Sequence, residues 1–309
     1  MRRSIGVSGV VALALLIAAC SEGSDDAATG DVDEGVTYVG ADGVESEITD
    51  TSRIITLSGD LTEIIFEFGL GDSVVAVDVT TVYPEEATSL PIIGVGRFLT
   101  AEGVLAQQPT LVIGDTQTDP ASSIEQIRAA GVPVVILDVP ASFEDLYDKI
   151  GQMGTLLGAE AEADRLAERV RGEVDAALEI AAGVQTKRMA YIYTRGPDVV
   201  LFFGDGMVTN PLIEGAAGID TGAEAGIEGT IPATAEAIVA AAPEVIIVPE
   251  EGFGILGGLD AFLQLPGVAQ TPAGQSGAVL AYPEGDFLTF GPRVGQSLAL
   301  LIQDVHGLP

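Results

Sequence analysis

The residue types best suited to chemistry lie together on the apolar segment 189–195. In an extended strand alternate side chains point to the same face, so Tyr191, Tyr193 and Arg195 would share one face. A deprotonated tyrosine is a hard anionic oxygen donor that suits ferric iron, and a nearby cation favours loss of the proton, whose pKa is ordinarily about 10. More often, however, this pattern marks an ordinary strand tyrosine with a hydrated hydroxyl beside a surface arginine. The residues alone leave both interpretations open.

A gapless internal repeat singles out two glutamates. Residues 100–113 and 234–247 are identical at six of fourteen positions. Each copy is typical of a helix that ends before a proline and leads into an apolar strand. Glu102 and Glu236 occupy the same position in the two copies. Exposed carboxylates at matching places on two similar lobes would steer docking to a partner, whereas a glutamate in the first turn of a helix also simply favours that helix.

The composition excludes several classes of function. The chain of 309 residues has 13 Lys and Arg against 46 Asp and Glu, and its formal net charge of −33 excludes general binding to nucleic acid or to anionic lipid. With one histidine, His306, and one cysteine, it cannot build a multi-histidine metal site or an internal disulfide framework. It has no Walker A loop, no nucleophile elbow and no complete dinucleotide-binding fingerprint. A surface-anchored enzyme that uses paired carboxylates stays as a remote alternative.

The first twenty residues are typical of an export signal. Arg2 and Arg3 precede an apolar stretch at 5–19, which is shorter than a membrane span of about 20 residues. The stretch ends at Cys20 in a pattern that resembles the bacterial lipobox. We therefore expect a lipid anchor at Cys20 and a location on the outer face of the bacterial cytoplasmic membrane. The acidic residues 21–35 are typical of a flexible tether.

Strands and helices alternate along the rest of the chain, which predicts an α/β fold with mainly parallel sheets. Residues 159–182 carry apolar positions four residues apart and opposite charges at the same spacing, which predicts one long helix of about 33 Å. We expect two similar lobes joined by this helix. Apolar runs predict strands at 53–57, 74–77, 111–113 and 134–137 in the first lobe, and at 189–194, 245–248 and 278–281 in the second. The expected organisation is a signal peptide at 1–19, a tether and lead-in at 20–50, a first lobe at 51–158, a connecting helix at 159–183 and a second lobe at 184–309.

The domain from about residue 50 to residue 307 resembles the substrate-binding lipoproteins of ABC importers, and among them most of all the haem-binding proteins. The resemblance is carried by the segments 53–57, 61–65, 77–84, 90–94, 101–105, 193–196, 265–271 and 290–293. It implies two lobes that clamp a ligand, a helix that limits closure to small angles, and a membrane permease with its ATPase as partner. It also implies that Glu102 and Glu236 dock the permease. We expect a monomer.

The same resemblance implies a ligand site. In one branch of the haem-binding family a Tyr-x-Arg at this strand end supplies the axial tyrosine and its arginine partner. This assigns Tyr193 to the ferric iron of haem, as transported ligand, and Arg195 to Tyr193 or to a haem propionate. Arg97 and Arg293 fall in segments that the resemblance places at or near the cleft, and Met207 is a weaker candidate.

The first lobe departs from the family pattern. Val95 and Gly96 stand where many members have a tyrosine or histidine ligand, and neither can coordinate iron. The haem iron would then be five-coordinate, with Tyr193 as its protein ligand. The departure keeps a ferric siderophore or cobalamin open as the ligand of the same class of transporter.

Overall fold

The computed structural model describes residues 35–94 and 98–308. The signal segment, Cys20 and most of the expected tether lie outside these residues, as do Val95, Gly96 and Arg97. Within the described ranges, no helix combines the length and the apolar character that crossing a membrane requires.

The described chain begins with an antiparallel hairpin that packs on the first lobe. Its strands are β1 (Val36–Val39) and β2 (Glu45–Ile48). The hydroxyl of Ser46 donates to the carbonyl of Val134 at 3.2 Å, and Ile48 is fully buried in the core. Part of the lead-in expected at 20–50 is therefore ordered and belongs to the first lobe.

The first lobe is built on a parallel sheet. Its elements are β3 (Ile54–Thr56), α1 (Gly59–Glu67), β4 (Val74–Ala76), α2 (Ala101–Leu105), β5 (Leu111–Asp115), α3 (Ala121–Ala129), β6 (Val134–Leu137) and α4 (Phe143–Leu157). The strand order is β4-β3-β5-β6, and every pair is parallel. The strands are short apolar runs buried on both faces, as expected where helices cover a parallel sheet. The predicted strands of this lobe are confirmed.

One long helix joins the lobes. α5 (Glu160–Ala181) begins just after Gly158, which ends α4 in the left-handed region at φ 65°. Its buried face carries apolar side chains four residues apart: Leu166, Val170 and Val174. α4 lies so close to α5 that a Cβ on Gly154 would be 2.4 Å from the Cβ of Ala163. The long helix predicted at 159–182 is confirmed.

The second lobe is built on a mixed sheet. Its strands are β7 (Lys187–Thr194), β8 (Val200–Phe203), β9 (Gly218–Asp220), β10 (Thr230–Pro232), β11 (Val245–Pro249) and β12 (Val279–Tyr282). The order is β10-β8-β7-β11-β12, with β9 also paired to β7. β9, β7, β11 and β12 run parallel, whereas β8 pairs antiparallel with both β7 and β10. The sequence pattern predicted β7, β11 and β12 and missed β8, β9 and β10.

Short helices cover this sheet, and a longer one closes the chain. They are α6 (Asn210–Gly215), α7 (Thr221–Glu224), α8 (Ala235–Ala241), α9 (Glu250–Leu256), α10 (Leu259–Phe262), α11 (Pro272–Ser276), α12 (Glu284–Leu288) and α13 (Val294–His306). α13 packs along α5. Just before it, Phe290 stacks on Phe143 of α4 with ring centroids 5.6 Å apart. The lobes therefore touch directly as well as through α5.

Candidate functional site

Tyr193 and Arg195 lie at the carboxyl end of β7. Because β11 and β12 run parallel to β7, the residues that follow them, Glu251 and Glu284, reach the same edge of the sheet. Arg195 donates from Nε to the hydroxyl of Tyr193, and its Nη2 lies 2.9 and 3.0 Å from Oε1 and Oε2 of Glu284. The Tyr193 hydroxyl in turn donates to Oε1 of Glu284 at 3.4 Å. Tyr193, Arg195 and Glu284 are referred to below as the tyrosine site.

The tyrosine site favours a neutral phenol in the ligand-free protein. Burial raises the pKa of Tyr193 above its ordinary value; the hydrogen bond from Arg195 lowers it, and the negative charge of Glu284 raises it. The cation acts in the direction that the sequence indicates, but burial and the carboxylate outweigh it. A phenolate therefore needs a stronger positive partner than Arg195.

An aromatic cluster supports the tyrosine site from below. Tyr191 shares a face of β7 with Tyr193, as predicted, but it is fully buried. The rings of Tyr191 and Tyr193 lie 4.9 and 5.9 Å from that of Phe203, and Tyr191 also stacks on Phe287 at 6.2 Å. The Tyr191 hydroxyl has no hydrogen-bond partner in the part of the chain that the structure describes, and burial raises its pKa well above the ordinary value. Tyr191 is therefore a core residue that fixes the position of the strand.

Exposed apolar side chains of both lobes flank the tyrosine site. On the second lobe, Ile255 of α9 is 70% exposed and would lie 3.3 Å from a Cβ on Gly196, the residue after Arg195. On the first lobe, Val82 is 54% exposed and sits against Gly285, the residue after Glu284. The site thus lies where the two lobes face one another, between apolar surfaces.

Arg293 lies in an ion-pair network between the lobes. Its Nε donates to Oε1 of Glu63 in α1 at 2.8 Å, and its Nη1 donates to Oδ1 of Asp286 at 2.5 Å. Its guanidinium also lies over the ring of Tyr83, 4.6 Å from the centroid. Burial raises the pKa of Glu63 to about 7 although Arg293 lowers it. The structure thus places Arg293 at the contact between the lobes, engaged by two carboxylates.

Met207 lies beside a separate cavity. It follows β8, is partly buried, and its amide donates to Oδ1 of Asn210 at 2.8 Å. With Phe143 and Leu178 it lines a cavity of about 410 Å³ between α4, α5 and α6. Tyr193 and Arg195 do not line this cavity, so the structure does not bring Met207 together with them there. Arg97, the remaining predicted ligand contact, lies outside the described residues.

The two repeat glutamates occupy equivalent exposed positions. Glu102 lies in the first turn of α2 and Glu236 in the first turn of α8. The hydroxyls of Thr100 and Thr234 cap these helices by accepting from the amides three residues on. Neither glutamate forms an ion pair with the residues of the described ranges. At this matched position each lobe therefore presents a carboxylate that forms no ion pair within the described ranges.

Sequence reasoning missed Glu284, the residue that completes the tyrosine site. The available signal was its position directly after the last parallel strand, since the carboxyl ends of parallel strands meet at one edge.

Among the described residues, no group of three or more His, Cys, Asp or Glu side chains could hold a metal ion. His306 lies in α13, with Nε2 2.9 Å from the carbonyl oxygen of Ala216.

Solved structures share this architecture over most of the chain. The periplasmic heme-binding protein RhuT from Roseiflexus sp. RS-1, in apo form, is 39% identical, covers 84% of this chain and 99% of its own, and superposes with a TM-score of 0.80. The heme-binding protein HmuT is 34% identical, covers 90% of this chain and 93% of its own, and has a TM-score of 0.84. HmuT has also been solved with a tyrosine, an arginine two positions later, or a histidine replaced by alanine.

Curated proteins of the same class match at lower identity. The uncharacterized ABC transporter substrate-binding lipoprotein YvrC of Bacillus subtilis (strain 168) is 26% identical over 268 residues, which are 81% of this chain and 82% of YvrC. The vitamin B12-binding protein of Yersinia pestis (strain Pestoides F) is 29% identical over 136 residues, 44% of this chain and 48% of that protein. The family model of the periplasmic binding proteins matches residues 54–285. With two α/β lobes, a long connecting helix and a site between the lobes, this chain belongs to the periplasmic binding protein family.

Proposed function

We propose that this protein captures haem between its two lobes, with Tyr193 as the iron ligand, and delivers it to an ABC permease. The observation that carries the proposal is the half-buried phenol of Tyr193, which accepts a hydrogen bond from Arg195. It lies on the surface of the second lobe that faces the first lobe. Two solved relatives with more than 30% identity are named as haem-binding proteins, and one of them has been solved with a tyrosine or an arginine at the same two-residue spacing replaced by alanine.

The chemistry of the tyrosine site suits ferric haem. Tyrosinate is a known axial ligand of haem iron. The ferric ion replaces the hydroxyl proton and supplies the positive charge that the site lacks, while the hydrogen bond from Arg195 favours the phenolate that forms. Val82 and Ile255 provide apolar surface on the two sides of the site, which suits a flat apolar macrocycle.

Coordination is proposed to come from one lobe. Val95 and Gly96 have no side-chain donor, so the first lobe offers no ligand at the position where many relatives have one. Haem is then five-coordinate on Tyr193. Arg195, whose side chain is 61% exposed, is the proposed partner of a propionate.

Delivery requires docking to the permease, and Glu102 and Glu236 are the proposed contacts. They are exposed, free of ion pairs within the described ranges, and matched between the two lobes. Glu102→Gln and Glu236→Gln are expected to lower stimulation of the reconstituted permease ATPase without changing haem affinity. Glu47→Gln, on the exposed face of the hairpin, is the matched control. Equal ATPase stimulation by all three variants would contradict the assignment.

A lipid anchor at Cys20 is proposed to hold the protein, as a monomer, on the outer face of the cytoplasmic membrane. The support is the signal-like segment before Cys20 and the likeness to a named lipoprotein. The protein is proposed to act as a carrier and to perform no reaction on haem. Its matched relatives are named for binding and transport.

A hemin titration followed by visible absorption tests the ligand. The chain from residue 21 onward is titrated in enough salt to screen its negative charge. We expect a saturable one-to-one shift of the Soret band with a ferric tyrosinate spectrum. Tyr193→Phe should abolish that spectrum, whereas Tyr38→Phe, which removes a hydroxyl bonded to Gln152 beside the hairpin, should not.

Two other results would change the proposal. A saturable shift that Tyr193→Phe leaves unchanged would keep haem as ligand and move its site. The absence of any saturable shift would refute haem, and ferric siderophores and cobalamin would then be titrated in its place.

A further inference from the structure

We infer that Glu284 is an internal competitor for Arg195, so that ligand binding exchanges one carboxylate for another on the same guanidinium. The inference rests on the proposed function and adds a residue that determines specificity. In the ligand-free protein the carboxylate of Glu284 holds the place that a carboxylate of the ligand takes in the complex.

The contacts of the tyrosine site show what Glu284 occupies. Arg195 uses Nε for the Tyr193 hydroxyl and Nη2 for both oxygens of Glu284. Oε1 of Glu284 also accepts from the Tyr193 hydroxyl. One carboxylate therefore engages the proposed iron ligand and its cationic partner together. A ligand that binds both the Tyr193 oxygen and Arg195 has to displace Glu284 from both.

The exposure of the ion pair between Arg195 and Glu284 allows a ligand to replace it. The side chain of Arg195 is 61% exposed and that of Glu284 is 26% exposed, and solvent-exposed ion pairs contribute little to stability. Glu284 is the first residue of α12, and its amide donates to Oε2 of Glu251 at 3.1 Å. The next residue, Gly285, lies against Val82 of the first lobe. Glu284 thus stands where a ligand between the lobes would arrive.

The negative charge of Glu284 explains why an anionic ligand has to displace it from Arg195. Glu284 places its carboxylate on Arg195, and its amide is bonded to the carboxylate of Glu251, in a chain with a net charge of −33. An anionic ligand meets repulsion there unless Arg195 is released. A ligand with both a metal cation and a carboxylate replaces both interactions of Glu284: the cation binds the Tyr193 oxygen and the carboxylate binds Arg195. A metal-bearing ligand without a carboxylate replaces only the contact with Tyr193. The site therefore favours the carboxylated ligand.

The test compares Glu284→Gln with Glu251→Gln. Both variants remove one negative charge, at position 284 or from the carboxylate bonded to its amide, but only the first removes a carboxylate bound to Arg195. We expect Glu284→Gln to tighten hemin binding by about fivefold, corresponding to about 1 kcal/mol. Glu251→Gln should tighten it much less. Hemin dimethyl ester, whose carboxylates are blocked, should gain much less than hemin from Glu284→Gln, because it displaces only the hydrogen bond between Tyr193 and Glu284.

A double-mutant cycle isolates the competition. In an Arg195→Ala background, Glu284→Gln should change hemin affinity much less, because the contested group is absent and only the hydrogen bond to Tyr193 remains. Arg195 is largely exposed, so this background is expected to fold, which circular dichroism checks. A gain of similar size in Glu251→Gln or in the Arg195→Ala background would overturn competition in favour of net charge. A gain of similar size with the dimethyl ester would overturn competition for Arg195, because it would show that Glu284 obstructs Tyr193 alone. Weaker hemin binding by Glu284→Gln would also overturn it.

The outcomes separate this inference from the proposed function. If hemin binds the unmodified protein through Tyr193 and Glu284→Gln gives no gain, the competition alone is wrong. If hemin does not bind the unmodified protein saturably, both are wrong.

Discussion

Replacing Glu63 by glutamine is expected to remove a pH dependence from the stability of the protein. Glu63 lies in α1, is 1% exposed, and accepts a hydrogen bond from Arg293 at 2.8 Å. Burial raises the pKa of Glu63 to about 7; Arg293 lowers it, and the charges of Asp60 and Glu67 raise it. Asp60 is itself paired with Lys149 at 2.5 Å. The desolvation of the carboxylate thus outweighs its ion pair.

The sign and size follow from the shift in pKa. A carboxyl group whose pKa is higher in the folded state binds its proton more tightly there. Its contribution to folding is complete below about pH 4.5 and is lost as the pH rises to about 7. At 1.36 kcal/mol per pH unit, a rise in pKa from 4.5 to about 7 corresponds to about 3 kcal/mol.

Urea denaturation from about pH 4.5 to pH 8 measures the effect. Glutamine has a similar shape and does not titrate, so any contact that it loses changes the unfolding free energy by a constant amount. The difference between Glu63→Gln and the unmodified protein should move in favour of the variant by about 3 kcal/mol across this range. Glu47→Gln controls for the loss of one negative charge. Parallel curves for the unmodified protein and Glu63→Gln would refute the reasoning.

Two further predictions test the buried charges and the packing of the first lobe by urea denaturation. Lys149→Met should lower the free energy of unfolding by about 3–5 kcal/mol, because it leaves the buried Asp60 without its cation. Adding Asp60→Asn should recover much of this loss. A loss below about 1 kcal/mol in Lys149→Met would contradict the prediction. Gly154→Val should cost about 1–3 kcal/mol because its Cβ would overlap that of Ala163, whereas Gly151→Ala, with open space around it, should stabilise by up to about 1 kcal/mol. Equal effects of the two glycine substitutions would show that α4 and α5 can move apart.

The fold class and the shared strand face of Tyr193 and Arg195 could be predicted because both depend on local pattern. Continuous apolar runs of three to five residues mark buried parallel strands, and a two-residue period puts Tyr193 and Arg195 on one face. The long helix carries its own signal in the i, i+4 spacing of Leu166, Val170 and Val174. The hairpin strands were missed because polar residues interrupt them, so neither is a continuous apolar run. β8 is such a run, and its signal was overlooked.

The partners of the site residues could not be predicted because they come from distant parts of the chain. Glu284 is 89 positions from Arg195, and Glu63 is 230 positions from Arg293. With 46 acidic residues in the sequence, no local pattern singles out Glu63, and the signal for Glu284 is its place directly after the last parallel strand. An arginine near a cleft can bind a ligand or join the lobes, and only the tertiary structure shows that Arg293 joins them here.

The packing of α13 on α5, together with the Phe143–Phe290 stack, has a consequence for how the permease distinguishes loaded from empty protein. Wide opening of the lobes would break these apolar contacts, so the empty and loaded forms should have nearly the same radius of gyration. A change in overall shape would then carry little information to the membrane. The permease should instead detect a local change, namely side chains at the edge of the cleft that exchange hydrogen-bond partners when the ligand binds.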